Sequence, residues 1–184
     1  MNLADPFNPP PPPRRGMGWG AWLRDLFIAV TVALIIVLFL YQPVRVEGYS
    51  MMPRLQNDER LFVNKFAFHF EQVRRGDVVV FWYPRDTRLS FIKRVIGLPG
   101  DHVAIRDGVV YVNGIRLRES YVLPRYRDHW SYPTVTVPAG EYYVLGDHRN
   151  SSNDSRMWGF VPAQNIYGKA VFAYWPIDDF GLVH

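Results

Sequence analysis

Two residues of this sequence, brought together, could activate a serine. Ser50 lies in Gly48-Tyr49-Ser50-Met51-Met52-Pro53, and Lys93 lies in the apolar run Ser90-Phe91-Ile92-Lys93-Arg94-Val95-Ile96. A serine hydroxyl is a poor nucleophile until a base takes its proton, and a lysine can be that base only when neutral. Strand alternation puts Phe91, Lys93 and Val95 on one face, where burial disfavours the charged ammonium; neighbouring Arg94 is expected to disfavour it further. Taken singly, each residue also has an ordinary role: Ser50 as a turn residue ahead of Pro53, Lys93 as a side chain whose head snorkels to solvent.

A third run, residues 146–159, reads Gly-Asp-His-Arg-Asn-Ser-Ser-Asn-Asp-Ser-Arg-Met-Trp-Gly. Its short polar side chains suit either a hydrogen-bonded scaffold that pins a cation through a carboxylate or a surface loop with Asx-turns. His148 opens a rival, a Ser-His-Asp triad using Asp147 or Asp154. An adjacent Asp orients an imidazole poorly, however, and Lys93 would go unexplained. The sequence has no cysteine, which excludes disulfides, thiolate catalysis and cysteine-based zinc sites. The acidic residues of the third run have no second acidic cluster to complete a metal site, so no metal is expected. A formal charge of +4, carried largely by scattered arginines, argues against nucleic acid as a partner.

The elements that must position these groups are predicted as follows. Residues 1–20 contain a proline run, two arginines and glycines, and read as a flexible tail. Residues 26–41 are uncharged and apolar, and with Trp22 and Leu23 they predict a transmembrane anchor over 21–42, ended by Gln42-Pro43. A buried core segment and the apolar part of a cleaved leader are the alternatives. The stretch after Tyr41 lacks the small-x-small pattern of a processing site, which favours a retained anchor. Arg14, Arg15 and Arg24 precede the span, so the N-terminus is expected in the cytoplasm and everything after Tyr41 outside.

Residues 43–184 are expected to form one β-dominated domain. Strands are predicted at 60–66, 77–83, 89–98, 134–137, 141–145 and 166–174. Asp107-Gly108 and Asn113-Gly114 signal tight hairpin turns within 101–119, the core of a small β-hairpin cap over about 101–140. Residues 147–157 are predicted as an ordered loop. Trp82, Trp130 and Phe180 are candidates for a membrane interface or for core packing.

Together the three runs are far more specific than any one of them. SMxP at 50–53, KRVIGLPGD at 93–101 and GDxRxxSxDSRxWG at 146–159 resemble, in order and content, the motifs of the bacterial type I signal peptidases. DVVVFWYP at 77–84 is similar to that family's substrate strand. The likeness runs from about Pro43 to Lys169. It implies a mainly β fold of antiparallel sheets, shared with the self-cleaving repressor proteases, behind one N-terminal transmembrane helix.

It also implies a serine endopeptidase that cuts signal peptides from exported preproteins after small residues at P1 and P3. Ser50 would be the nucleophile and neutral Lys93 the general base, with no metal or organic cofactor. Ser152 would orient the lysine, Asp154 and Arg156 would support the loop, and the Ser50 N–H would bind the oxyanion. Many members add a Ser or Thr hydroxyl two residues before the nucleophile; here that residue is Gly48, so a second donor would be backbone, Gly48 included, or water. His148 replaces a usual Asn. Val44, Val46, Met51, Leu55 and Ile92 are the candidates to line the substrate pockets, with plain core packing as the alternative for each.

The partners implied are preproteins, the lipid bilayer and the secretion translocon. The location implied is the bacterial plasma membrane, with the thylakoid as an alternative. A self-cleaving repressor would need a DNA-binding domain in place of the tail and span. A relative dedicated to one substrate or to pilus maturation would share every motif, and a silent tethered β module would need neither Ser50 nor Lys93.

Overall fold

The computed structural model describes residues 19–183; the predicted tail lies almost wholly outside them. Two units are distinguished, one ending at Leu38 and one from Phe39 onward. The first holds all but the last two residues of the helix α1 (Trp19–Leu40), of 22 residues. At 1.5 Å per residue it is about 33 Å long, the thickness of a bilayer's hydrocarbon core. Residues Trp19–Ile36 have mean hydropathy 1.7 and none is buried, so the helix is long and apolar enough to cross a membrane by length and composition. It stops two residues before the predicted end, because Tyr41, Gln42 and Pro43 already belong to a strand. Proline is tolerated there since the strand is an edge.

The second unit is built from β1 (Tyr41–Arg45), β2 (Arg60–Asn64), a short α2 (Ala67–Phe70), β3 (Val78–Tyr83), β4 (Asp86–Gly97), β5 (His102–Arg106), β6 (Val109–Val112), β7 (Ile115–Arg116), β8 (Tyr132–Thr136), β9 (Glu141–Leu145), α3 (Ser155–Trp158), β10 (Val161–Pro162), β11 (Ile166–Trp175) and β12 (Gly181–Leu182). Among the described residues these strands form two sheets, and every pairing is antiparallel. The larger has the order β1-β2-β11-β3-β4-β9-β10, with β12 paired to β11; the smaller has the order β7-β6-β5-β8.

The smaller sheet falls within the residues 101–140 predicted as a cap. Its two turns take the positive φ that their sequences require, 49° and 74° at Asp107-Gly108 and 53° and 80° at Asn113-Gly114. Gly108 is fixed by space as well, since a Cβ there would stand 2.0 Å from the carbonyl oxygen of Asp128.

Alternation along β3 and its partners divides the core. Val78 and Val80 join Val46, Met51, Leu55, Leu61, Val63 and Ala170 in one cluster, while Val79 and Phe81 join Val95, Val144 and Trp158 in another. Trp82, Trp130 and Phe180 are not core residues: their exposures are 41%, 71% and 64%. The predicted loop 147–157 is ordered, with one 3-10 turn at Arg149–Ser151 and the start of α3, whose first turn Asp154 caps.

Candidate active site

The nucleophile candidate is set by an extended strand that runs into a turn. Beyond β1, Val46 and the 58–59 segment stay paired, with Val46 N donating to Glu59 O at 2.8 Å and Asp58 N to Val46 O at 2.9 Å. Gly48 then turns the chain with φ 95°, a conformation costly for any side chain. A tight turn follows, in which Met52 N donates to Tyr49 O at 3.1 Å and Leu55 N to Met51 O at 3.0 Å.

Into this turn reaches Lys93 from β4. Its Nζ lies 2.8 Å from Ser50 Oγ and 3.0 Å from the carbonyl oxygen of Ile92. The side chain is 4% exposed and its amine stands 5.3 Å from the centre of the Phe91 ring. Burial lowers the Lys93 pKa from the usual lysine value to about 8, against the opposing pull of the Asp154 and Asp147 carboxylates.

Arg94 does not contribute to that lowering as the sequence suggested. Its guanidinium is held by Asp147, Nε donating to Oδ1 at 2.8 Å and Nη2 to Oδ2 at 2.7 Å. A further bond from Nη1 reaches Gly76 O at 2.8 Å, and the Tyr121 ring covers the group at 4.1 Å. The charge is therefore neutralised within the protein, and burial is what depresses the Lys93 pKa.

The third run wraps the dyad. Asp154, fully buried, accepts the Gly146 N–H at 3.0 Å and the Arg156 guanidinium at 2.8 and 2.7 Å. Arg156 also donates to Asp128 and to Arg149 O. Arg149 in turn donates from Nε to Gly146 O at 3.0 Å and from both terminal nitrogens to Glu119. Gly146 is thus pinned from both sides, and a Cβ on it would stand 2.2 Å from Ser152 Oγ and 2.4 Å from Ser50 O. Ser152 is brought against the site through this contact, but its hydroxyl oxygen is buried with no hydrogen-bond partner, so no bond to Lys93 is formed. Glu119, Asp128 and Tyr121 were missed by sequence reasoning. They lie about one hairpin away from the motif, and no local spacing links an acid in a cap to an arginine about 30 residues on.

The Gly48 N–H is not a spare oxyanion donor, because it donates to Asn57 Oδ1 at 2.8 Å. The Ser50 N–H, by contrast, donates to no group among the described residues. The rival triad does not form: Asp147 and Asp154 are occupied by Arg94 and Arg156, and His148 Nδ1 lies 2.9 Å from Tyr49 O.

An open cleft of about 570 Å³ includes Ser50 and Lys93 in its lining, together with Val44, Val46, Val80, Ser90, Ile92 and Tyr167. Of the five residues predicted for the substrate pockets, Val44, Val46 and Ile92 line this cleft. Met51 and Leu55 are not: at 1% and 0% exposure they fill the core beneath it. Ser90 and Tyr167, whose hydroxyls lie 2.5 Å apart, were not foreseen. A cavity of about 630 Å³ beside Pro53, Glu59 and Tyr121 touches neither member of the dyad. Among the described residues no three His, Asp or Glu side chains are grouped to hold a metal ion.

Comparison with known proteins bears on this arrangement. A family model described as signal peptidase, peptidase S26, matches residues 19–175. A probable signal peptidase I-1 of Synechocystis sp. is 41% identical over 165 residues, covering 85% of this chain and 82% of the relative. Signal peptidase I of Bacillus caldolyticus is 40% identical over 181 residues, covering 92% and 96%. A solved signal peptidase I structure from Enterococcus faecalis V583 is 36% identical, with TM-score 0.48, and covers 54% of this chain and 97% of that one.

Proposed function

The chain belongs to the signal peptidase family, peptidase S26, and on that premise we propose that it is a membrane-anchored endopeptidase releasing exported preproteins from their signal peptides through a Ser50/Lys93 dyad. The observation that carries this reading is the 2.8 Å approach of a buried lysine amine to a serine hydroxyl in the wall of an open cleft.

The chemistry follows from that approach. Neutral Lys93 takes the Ser50 proton as Oγ bonds to the scissile carbonyl carbon, and the negative charge on the carbonyl oxygen is met by the Ser50 N–H. The resulting ammonium gives its proton to the leaving amine as the C–N bond breaks, leaving a serine ester. Lys93 then takes a proton from water, whose oxygen attacks the ester carbonyl, and returns it to Ser50 Oγ as the acid departs. Proton and bond counts balance with no other group.

The substrate would lie extended beside the 42–47 segment, in the manner of strand addition, with small side chains at P1 and P3 against Val44, Val46 and Ile92. Asp154 and Arg156 hold the loop that carries Ser152. The anchor would be α1, with the N-terminus cytoplasmic and the β domain on the outer side of a plasma or thylakoid membrane, where preproteins emerge from the translocon. A hairpin cap over about 101–140 completes the catalytic domain.

The test is cleavage of a preprotein with an Ala-x-Ala site by the full chain in detergent micelles, the product ends read by mass spectrometry. Cleavage elsewhere, or none, overturns the reading. In the same assay kcat/KM is expected to rise tenfold per pH unit on the acid side and level off near the Lys93 pKa of about 8, because only the neutral amine works. A flat profile from pH 5 to 9 would remove Lys93 as base.

A further expected outcome concerns Ser152→Ala. Its buried hydroxyl has no partner to lose, so the melting temperature should hold, while turnover falls about tenfold or more because the hydroxyl engages Lys93 only once substrate is bound. An unchanged rate would leave Ser152 without a part in orienting Lys93.

A further inference from the structure

We propose that His148 is a positioning residue that aims the Ser50 N–H at the developing oxyanion, by holding the peptide plane to which that N–H belongs. The inference rests on the reading of Ser50 as nucleophile.

The Tyr49–Ser50 peptide is trans, so its carbonyl oxygen and its N–H point in opposite directions. Fixing one end of the plane therefore aims the other. Tyr49 O receives two bonds, from Met52 N at 3.1 Å within the turn and from the His148 ring at 2.9 Å across it. A carbonyl oxygen can only accept, so Nδ1 of His148 carries a proton. The His148 backbone N–H donates to Ser50 O at 3.0 Å. One residue of the third run thus grips both carbonyls that flank the Ser50 amide.

The grip is itself braced. The imidazole meets the ring of Tyr126 edge-on, with centroids 4.4 Å apart, and Tyr126 is buried in the 3-10 turn Pro124–Tyr126 of the cap. The Arg125 guanidinium lies over the Tyr126 ring at 4.8 Å, and Asn150 ties back to Arg125 O at 3.1 Å.

Two features make the grip matter here. Gly48 precedes this peptide in a left-handed conformation, with no side chain to stiffen the turn or to offer a hydroxyl to the oxyanion. Its own N–H is already given to Asn57. The oxyanion is left to the Ser50 N–H among the groups flanking the nucleophile. A donor bonded to the carbonyl of the same peptide both orients that N–H and polarises it.

The experiment uses the full-length protein in detergent micelles, with a peptide spanning a signal-peptide cleavage site. The variants are His148→Ala, His148→Leu, which fills the ring's volume without a donor, and His148→Asn, which restores an N–H. For Ala and Leu, kcat is expected to fall about tenfold to fiftyfold with KM within about twofold, while Asn stays within about threefold of the parent. A peptide aldehyde, whose adduct with Ser50 carries an oxyanion, should lose affinity by the same factor as kcat/KM, and an uncleavable peptide should lose none.

A parent-like kcat in Ala or Leu, an Asn variant as slow as Leu, or an unchanged aldehyde affinity would each overturn the inference. These outcomes are separable from failure of the dyad reading, which would appear as activity surviving in Ser50→Ala.

Discussion

Ser50→Ala and Lys93→Ala are each expected to lower kcat/KM for a preprotein by about 10⁴- to 10⁶-fold, while both proteins stay folded. The two groups act as one unit. A hydroxyl facing no base keeps its proton, and a neutral amine facing no hydroxyl has nothing to deprotonate, so the double variant should be no worse than either single one. The fold should tolerate both changes. Ser50 lies at a turn surface, and Lys93→Ala removes a group whose burial is unfavourable in its charged form. Single-turnover cleavage followed by mass spectrometry, with circular dichroism to verify folding, measures both statements. Activity within about tenfold of the parent in either variant would sink the dyad.

Arg94→Ala should instead unfold the protein first. Arg94 and Asp147 are buried to 1% and 0% exposure and joined by two bonds. Removing the cation leaves an interior carboxylate without the two hydrogen bonds that Arg94 gives it, a loss of about 3–5 kcal/mol. Urea denaturation reads this as a lower midpoint at an unchanged slope. The double change Arg94→Met with Asp147→Leu should recover most of that loss, since a buried pair replaced by apolar groups is close to neutral.

The same substitution has a kinetic signature wherever enough protein folds. Asp147 already acts to raise the Lys93 pKa, and without Arg94 beside it that pull is stronger. The acid limb of kcat/KM should then move above pH 8, toward the ordinary lysine value. A limb at or below its original position would mean that Asp147 does not act on the base.

Much of this site was legible because it is written in short, local signals. The serine, the lysine and the polar loop could be found from residue types and order, and Asp107-Gly108 and Asn113-Gly114 announced the cap turns that form. Periodicity could not distinguish a cleft wall from a core: Val46 and Met51 belong to one buried cluster, yet only Val46 also lines the cleft. Nor could sequence neighbours reveal who pairs with whom. Arg94 follows Lys93 directly, and the expectation that it presses on the lysine fails because its charge is spent on Asp147, 53 positions away. The cap acids were out of reach for the same reason, since Glu119 and Asp128 acquire their roles only when the cap folds against Arg149 and Arg156. Gly48 and His148 appeared as separate departures from a family pattern. In the structure they stand on either side of one peptide.

The order of the large sheet carries a consequence for biosynthesis. Between β2, which continues the hairpin from the serine segment, and β3, which pairs with the lysine strand, no backbone ladder exists; β11 fills the gap, bonded to both. A nascent chain that has left the ribosome as far as the polar loop therefore still lacks the strand that seams its two halves. The serine segment and the lysine strand are thus joined within one sheet only through residues 166–175, and a copy lacking them is expected to lose the 2.8 Å approach of Lys93 to Ser50.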